Sequence, residues 1–333
     1  MTKGRDCDKF GGMKNAYAIK IYLSVLLILL FPSRSFSFWV WTPETNKWVN
    51  PKYAVKETPA EQLQYGLDFY EAKDYKAAIR EFEKLIHHYP RAREAPDAQF
   101  YIGRCWEDQD KLYQAFKQYQ VVIEKYPFSE LSGEIVKKQY GIGVKLLEGE
   151  TKENKFMDSL KGGNYYVVDV FKAVIKNAPY GELAASAQYK IGLYLSEKKL
   201  YQEARDELEK VINDYPNSEW AKAAKYQIAI SDAKRSTDAA YDQKVTQAAV
   251  AEFNEFVENY PDAELSDKAK KQVHQLREKE AENNFLIAQF YEKQKNYSSA
   301  KIYYQKIVND YVDSKWSSKS LEKIREMSQK EQP

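Results

Sequence analysis

From Tyr75 onward, apolar side chains fall at Ala78, Ile79, Phe82, Leu85, Ile86 and Tyr89, three or four residues apart. That period puts them on one face of an α-helix. The helix is the second half of a unit that recurs. Residues 66–90 read GLDFYEAKDYKAAIREFEKLIHHYP, residues 103–127 GRCWEDQDKLYQAFKQYQVVIEKYP, and residues 192–216 GLYLSEKKLYQEARDELEKVINDYP. In each, a Gly is followed by Ala 12 residues on, an apolar or aromatic residue 16 on and Pro 24 on. The sets are Gly66/Ala78/Phe82/Pro90, Gly103/Ala115/Tyr119/Pro127 and Gly192/Ala204/Leu208/Pro216. Three further copies keep this register around insertions. One uses Gly143, Phe171 and Pro179 with 12 extra residues between its helices, another Ala229, Ala249, Phe253 and Pro261 with eight extra. The last uses Ala288, Ala300, Tyr304 and Val312, with Val in the place of Pro and a longer first helix starting near Leu265.

The physics of the pattern is a helical hairpin. Small residues sit where two antiparallel helices cross closely, large ones fill the seam, and Pro ends the second helix. The spacing resembles the tetratricopeptide repeat. The expected fold is all-α, a right-handed α-solenoid of about six such hairpins, each burying its apolar face only against its neighbours. Residues 58–181 hold repeats one to three, and 182–333 hold repeats four to six with a capping helix at Trp316–Met327. Fraying is expected from Gln329.

The amino terminus follows a different pattern. Ile21 to Phe31 is an apolar run broken only by Ser24. It is too short to span a bilayer, which takes roughly 20 residues, and it fits the apolar region of a signal peptide. Lys14 and Lys20 supply the positive region if translation starts at Met13, which makes residues 1–12 a start-site extension. Ser35 and Ser37 place cleavage after residue 37. The chain has 51 basic and 49 acidic residues, and 1–37 holds six and two of them; export therefore turns a net charge of +2 into −2. It also removes Cys7, leaving Cys105 alone in an apolar pattern and expected to be buried.

Near-neutral charge argues against a nucleic-acid binder. With only 13 Gly and 11 Pro, a hairpin-rich all-β chain is disfavoured. No phosphate loop, H-E-x-x-H or C-x-x-C motif occurs; Gly162-Gly163-Asn164 reads as a turn inside an insertion. His87 and His88 stand at a helix end, and His274 lies in a charged helix. No catalytic, cofactor or metal site is expected. Solenoids offer surface instead. First helices line a concave groove, where Leu63, Leu67, Tyr70, Phe100, Arg104 and Glu107 are candidate contacts for a peptide or partner domain. Residues 38–57 form a Trp-rich segment in which two apolar runs flank a turn at Thr42–Lys47. Trp39, Trp41 and Trp48 read either as a flap packing on the first hairpin or as a membrane-interface or docking hook.

Two segments of the C-terminal half carry a resemblance. YDQKVTQAAVAEFNEFVENYPDAELSDKAKKQV from Tyr241 and LREKEAENNFLIAQFYEKQKNYSSAKIYYQKIVNDY from Leu276 resemble the BamD-type component of the outer-membrane β-barrel assembly machinery. The resemblance implies a non-catalytic scaffold at the periplasmic face of the outer membrane, peripherally associated with it. Its C-terminal repeats would bind the periplasmic POTRA portion of the barrel insertase, and its N-terminal repeats would contact unfolded outer-membrane proteins. Carried onto this chain, the insertase surface would hold Arg277, Glu280, Tyr291, Lys295 and Lys301 as exposed residues. Two features depart from the family: its members typically carry a Cys at the cleavage site, whereas no Cys lies between Cys7 and Cys105, and they usually have five hairpins. Repeats one, two and four also resemble other exported repeat proteins, such as the coordinator of the Tol–Pal system. This leaves a soluble periplasmic adaptor as the alternative, and a regulatory subunit of an envelope enzyme as a third class.

Overall fold

The computed structural model describes residues 39–42, 47–50, 54–153, 166–238, 243–262 and 264–330. The expected signal peptide, the start-site extension, most of the 42–47 turn and Gly162–Asn164 lie outside them. The chain forms two compact units, residues 1–62 and 63–333. In the first, β1 (Val40–Thr42) and β2 (Lys47–Val49) pair antiparallel, with Trp41 opposite Trp48.

Thirteen helices follow among the described residues, and the fold is an all-α solenoid. The hairpins are α1 (Pro59–Glu71) with α2 (Tyr75–His88), α3 (Ala95–Glu107) with α4 (Leu112–Lys125), and α5 (Ser132–Glu153) with α6 (Tyr166–Asn177). Next come α7 (Ala184–Glu197) with α8 (Tyr201–Asp214), α9 (Glu219–Asp238) with α10 (Gln243–Asn259), and α11 (Glu264–Lys293) with α12 (Tyr297–Asp310). The last helix, α13 (Lys315–Lys330), is longer than the sequence pattern predicts and continues past Gln329. Repeats one to six share the second unit apart from the start of α1.

The core runs along the stack in overlapping clusters, each joining one hairpin to the next. Phe82 and Leu85 of α2 pack with Ala98, Ile102 and Cys105 of α3, and Cys105 is fully buried. Tyr119 and Val122 of α4 pack with Ile135 and Ile142 of α5. Phe253 and Phe256 of α10 pack with Ala269 and Leu276 of α11.

The repeat residues do what their spacing predicts. A Cβ on Gly66 would stand 2.5 Å from the Phe82 ring, one on Gly103 2.5 Å from the Tyr119 ring, and one on Gly192 2.5 Å from Leu208 Cγ. Gly143 meets Phe171 in the same way, at 2.7 Å. The helices of these hairpins therefore cross at a distance that only glycine permits. In the last two hairpins Ala229 and Ala288 hold the place, both buried.

Helices α2, α4, α6, α8 and α10 each end two residues before their Pro. Helix α12 ends in the same way before Val312. The reason is the cap: Tyr311 has φ −127° and ψ 51°, matching Tyr89 at −126° and 55°, and each donates its N–H to the carbonyl four residues back. The turn rests on this backbone cap, which Ala178 also makes in the third hairpin, so Pro is dispensable. Within hairpins the turns use a left-handed residue without glycine: Lys73, Asp110, Lys199 and Lys295 have φ between 59° and 63°. The next N–H closes each turn onto the carbonyl five residues back, as Asp74 does onto Phe69 at 2.9 Å.

A feature the hydrophobic pattern does not reveal is a row of buried amides. Gln62, Gln99, Gln139 and Gln188 each lie four residues before the crossing glycine and are at most 6% exposed. Gln99 Nε2 donates to Gln118 Oε1 at 2.9 Å, Gln139 Nε2 to Gln120 Oε1 at 2.9 Å, and Gln188 Nε2 to Glu207 Oε2 at 2.6 Å. Each of these three bonds ties a first helix to the second helix of its own or the preceding hairpin and satisfies a buried polar group.

Helix α13 packs on the last hairpin in the register of a first helix. Its buried Ser320 and Met327 stand in the register of buried Ile135 and Ile142 on α5.

Substitution of Gly103 by Ala is expected to destabilise the protein by about 1–3 kcal/mol, because the new methyl overpacks the Tyr119 ring. Gly141→Ala, in a helix with nothing within 4 Å of the new Cβ, is expected to stabilise by about 0.5–1 kcal/mol. Urea unfolding of the two variants measures both shifts.

Candidate interaction surfaces

The six N-terminal candidates do not form one open groove. Phe100 is 5% exposed and packs against Tyr119 with ring centroids 5.4 Å apart, so it is a core residue; the groove assignment fails there because the next helix covers it. Leu63 and Leu67 are half-buried against the first core cluster. The polar members are tied together. The Tyr70 hydroxyl donates to Asp108 Oδ2 at 2.5 Å, and the Arg104 guanidinium lies 5.7 Å from the Tyr70 ring centroid. Burial, reinforced by Asp108, raises the Tyr70 hydroxyl well above its usual range.

Glu107 is the centre of a latch. It accepts from the Tyr119 hydroxyl at 2.6 Å and from Lys138 Nζ at 3.1 Å, joining α3, α4 and α5. Burial opposes its ionisation, but the Tyr119 hydroxyl and the Lys138 ammonium outweigh it and hold the carboxyl below its usual 4.5. The same arrangement recurs at the other end of the stack. Glu292 accepts from the Tyr304 hydroxyl at 3.0 Å, and Lys323 Nζ stands 3.5 Å from it. In both latches the Tyr follows the Glu by 12 residues and the Lys by 31. That spacing was available in the sequence as the signal for the pair.

The C-terminal candidates divide. Arg277 is exposed, donates to the carbonyl of Asp310 and covers the Tyr311 ring at 5.3 Å. It lines two adjoining clefts, of about 300 Å³ and 170 Å³, and Tyr311 lines both with it. Burial raises the Tyr311 hydroxyl to about 12. Glu280, expected at the surface, is only 7% exposed and lies beneath Tyr311, with burial pushing its carboxyl above the usual range. It belongs to the interior because it follows buried Leu276 by four residues on the packed face of α11. Tyr291 is half-buried, stacked on Tyr303 at 5.6 Å. Lys295 is exposed, but its backbone is the left-handed residue of the α11–α12 turn. Lys301 is half-buried.

The apolar surface of this hairpin was missed. Leu286 and Phe290, one turn apart on α11, are 56% and 57% exposed, and Ile302 on α12 is 68% exposed. Two residues beyond the crossing residue, repeats two, four and five bury Cys105, Tyr194 and Ser231. Phe290 holds that place in the sixth repeat and is uncovered. The signal was present: an outward apolar pair in a helix that begins well before its hairpin.

Among the described residues no cluster of His, Cys, Asp and Glu is arranged to hold a metal, and no helix is long and apolar enough to cross a membrane.

Replacing Glu107 with Gln is expected to destabilise the fold by about 1–3 kcal/mol at pH 7, since the Tyr119 and Lys138 bonds lose their charged acceptor. The folded carboxyl titrates below the unfolded one, so its contribution is present above pH 4.5 and fades as pH falls through the folded value. Urea unfolding at pH 7 and near pH 3 checks this: the gap between wild type and variant narrows in acid.

Residues 63–130 match a tetratricopeptide repeat model. A comparison with curated proteins gives no match. Among solved structures, the chain is similar to the C-terminal part of a tetratricopeptide-repeat protein from Cytophaga hutchinsonii at 15% identity, over 93% of this chain and 96% of that one, with a TM-score of 0.36. It is similar to a thermophilic repeat protein of Thermus thermophilus at 16% identity, over 65% and 99%, with a TM-score of 0.32. It is also similar to YrrB, described as a repeat protein with an unusual peptide-binding site, at 13% identity over 65% and 93%, with a TM-score of 0.34. Likeness of that degree carries no conclusion about function. Residues 154–332 match the family model YfiO, described as outer membrane lipoprotein, and since this is more than half of its length the chain belongs to that family.

Proposed function

We propose that the protein is a non-catalytic scaffold of the outer-membrane β-barrel assembly machinery, working at the periplasmic face of the outer membrane. Its sixth hairpin binds the periplasmic POTRA portion of the barrel insertase, and its N-terminal repeats contact unfolded barrel proteins. The observation that carries this reading is the uncovered face of α11. Phe290 stands where three other repeats bury their equivalent residue under the preceding hairpin and the third repeat exposes a charged one, Lys145; Leu286 extends the apolar strip by one turn. An exposed apolar strip on a rigid helix is a docking surface. Arg277, held over Tyr311 beside the two clefts, supplies a charged anchor on the same helix. Family membership supports the same setting.

The test is a pull-down of the tagged chain from detergent-solubilised envelopes, with mass spectrometry of what co-purifies. The expected result is near-stoichiometric recovery of a barrel insertase. Recovery is expected to fall by roughly tenfold or more in Leu286→Glu/Phe290→Glu, since central apolar anchors carry most of an interface's free energy. Both residues are outside the core, so circular dichroism should be unchanged. Recovery of soluble envelope or Tol–Pal partners alone would overturn the proposal in favour of an adaptor.

A further inference from the structure

Strand alternation places Trp39 and Trp41 on the same side of an extended chain, and the register sets Trp48 directly opposite Trp41. All three indoles are open to solvent, at 60%, 45% and 66%. The solvent-exposed side chains of this face among the described residues are three tryptophans, with buried Asn50 opposite Trp39. We infer that this face seats the protein on an anionic phospholipid surface, with the indoles at the headgroup level.

Three observations favour lipid over a protein partner. The first is residue type. Trp partitions to the boundary between headgroups and acyl chains, where its ring is apolar and its N–H stays solvated, and three of them share one small face here. The second is charge. Residues 38–57 carry Lys47, Lys52 and Lys56 against Glu44 and Glu57, a positive stretch on a chain that is acidic from residue 38 onward. Basic residues beside an interfacial aromatic patch are drawn to anionic headgroups. The third is place. The hairpin lies in the compact unit of residues 1–62. The family it belongs to is one of outer-membrane lipoproteins, and no Cys stands between Cys7 and Cys105. A tryptophan face performs by partition what an acyl chain performs by insertion.

The experiment is co-sedimentation of the chain beginning at Phe38 with phosphatidylethanolamine–phosphatidylglycerol vesicles, alongside the envelope pull-down. Wild type is expected to sediment with the vesicles and to show indole quenching by brominated lipid. The variant Trp39→Ser/Trp41→Ser/Trp48→Ser is expected to bind about tenfold or more weakly, as partition follows buried apolar area. The variant Trp39→Tyr/Trp41→Tyr/Trp48→Tyr, which keeps interfacial aromatics, should retain most of the binding, and this separates loss of the face from loss of the hairpin fold. Insertase recovery should be unaffected by either variant, so the two proposals fail independently. Wild type that does not sediment, or a Ser variant that sediments as well as wild type, would overturn the inference. So would a protein lost from the pull-down with the Trp face while vesicles bind neither form, and that outcome would make the face a protein dock.

Discussion

In the first three hairpins the crossing is a glycine hydrogen atom against a ring. Where Gly66, Gly103 and Gly143 meet Phe82, Tyr119 and Phe171, two helices approach until a single methyl group would not fit. That distance fixes the angle of each hairpin, and the hairpin angle sets how the next one can stack. Aromatic side chains suit the task because a flat ring gives one rigid wall to the crossing and another to the following hairpin. Dispersion across such contacts is small per atom pair and large when summed over a stack.

Polar groups then lock what packing brings together. The buried glutamines and the Glu107 and Glu292 latches join first helices to their neighbours by short bonds that have little tolerance for sliding. At the fourth and fifth repeats a single guanidinium takes over. Arg205 on α8 reaches Asp232 on α9 and Glu252 on α10, the latter at 2.7 Å. Asp232 is 2% exposed at its side chain and also faces Arg235 at 3.5 Å. Burial beside Asp232 raises the Glu252 carboxyl despite Arg205. Buried charge of this kind specifies geometry more than it adds stability.

Much of the architecture is legible in the chain because small–large–Pro spacing is a local consequence of helices crossing. The Gly103/Ala115/Tyr119 set maps directly onto the crossing it predicts, and the long first helix of the sixth repeat starts at Glu264, one residue from its expected start. The site was less legible. Periodicity tells which face of a helix is apolar, but it does not tell which neighbour covers that face. Phe100 and Phe290 look alike in sequence; one is buried against Tyr119 of the next helix, and the other stands open. Glu280 shows the converse. A charged residue reads as surface, yet its spacing from Leu276 commits it to the interior. The two strands were visible only as apolar runs around a turn, because three-residue strands carry too short an alternation to distinguish from irregular chain.

Helix α13 keeps the register of a first helix: Ser320 and Met327 fill the inward places, and Lys323 closes the second latch as Lys138 closes the first. Ser328, small and exposed, stands at the place that glycine holds in earlier hairpins. Among the described residues the crossing place of α13 is thus open, like a crystal face cut along a growth plane rather than a passivated one.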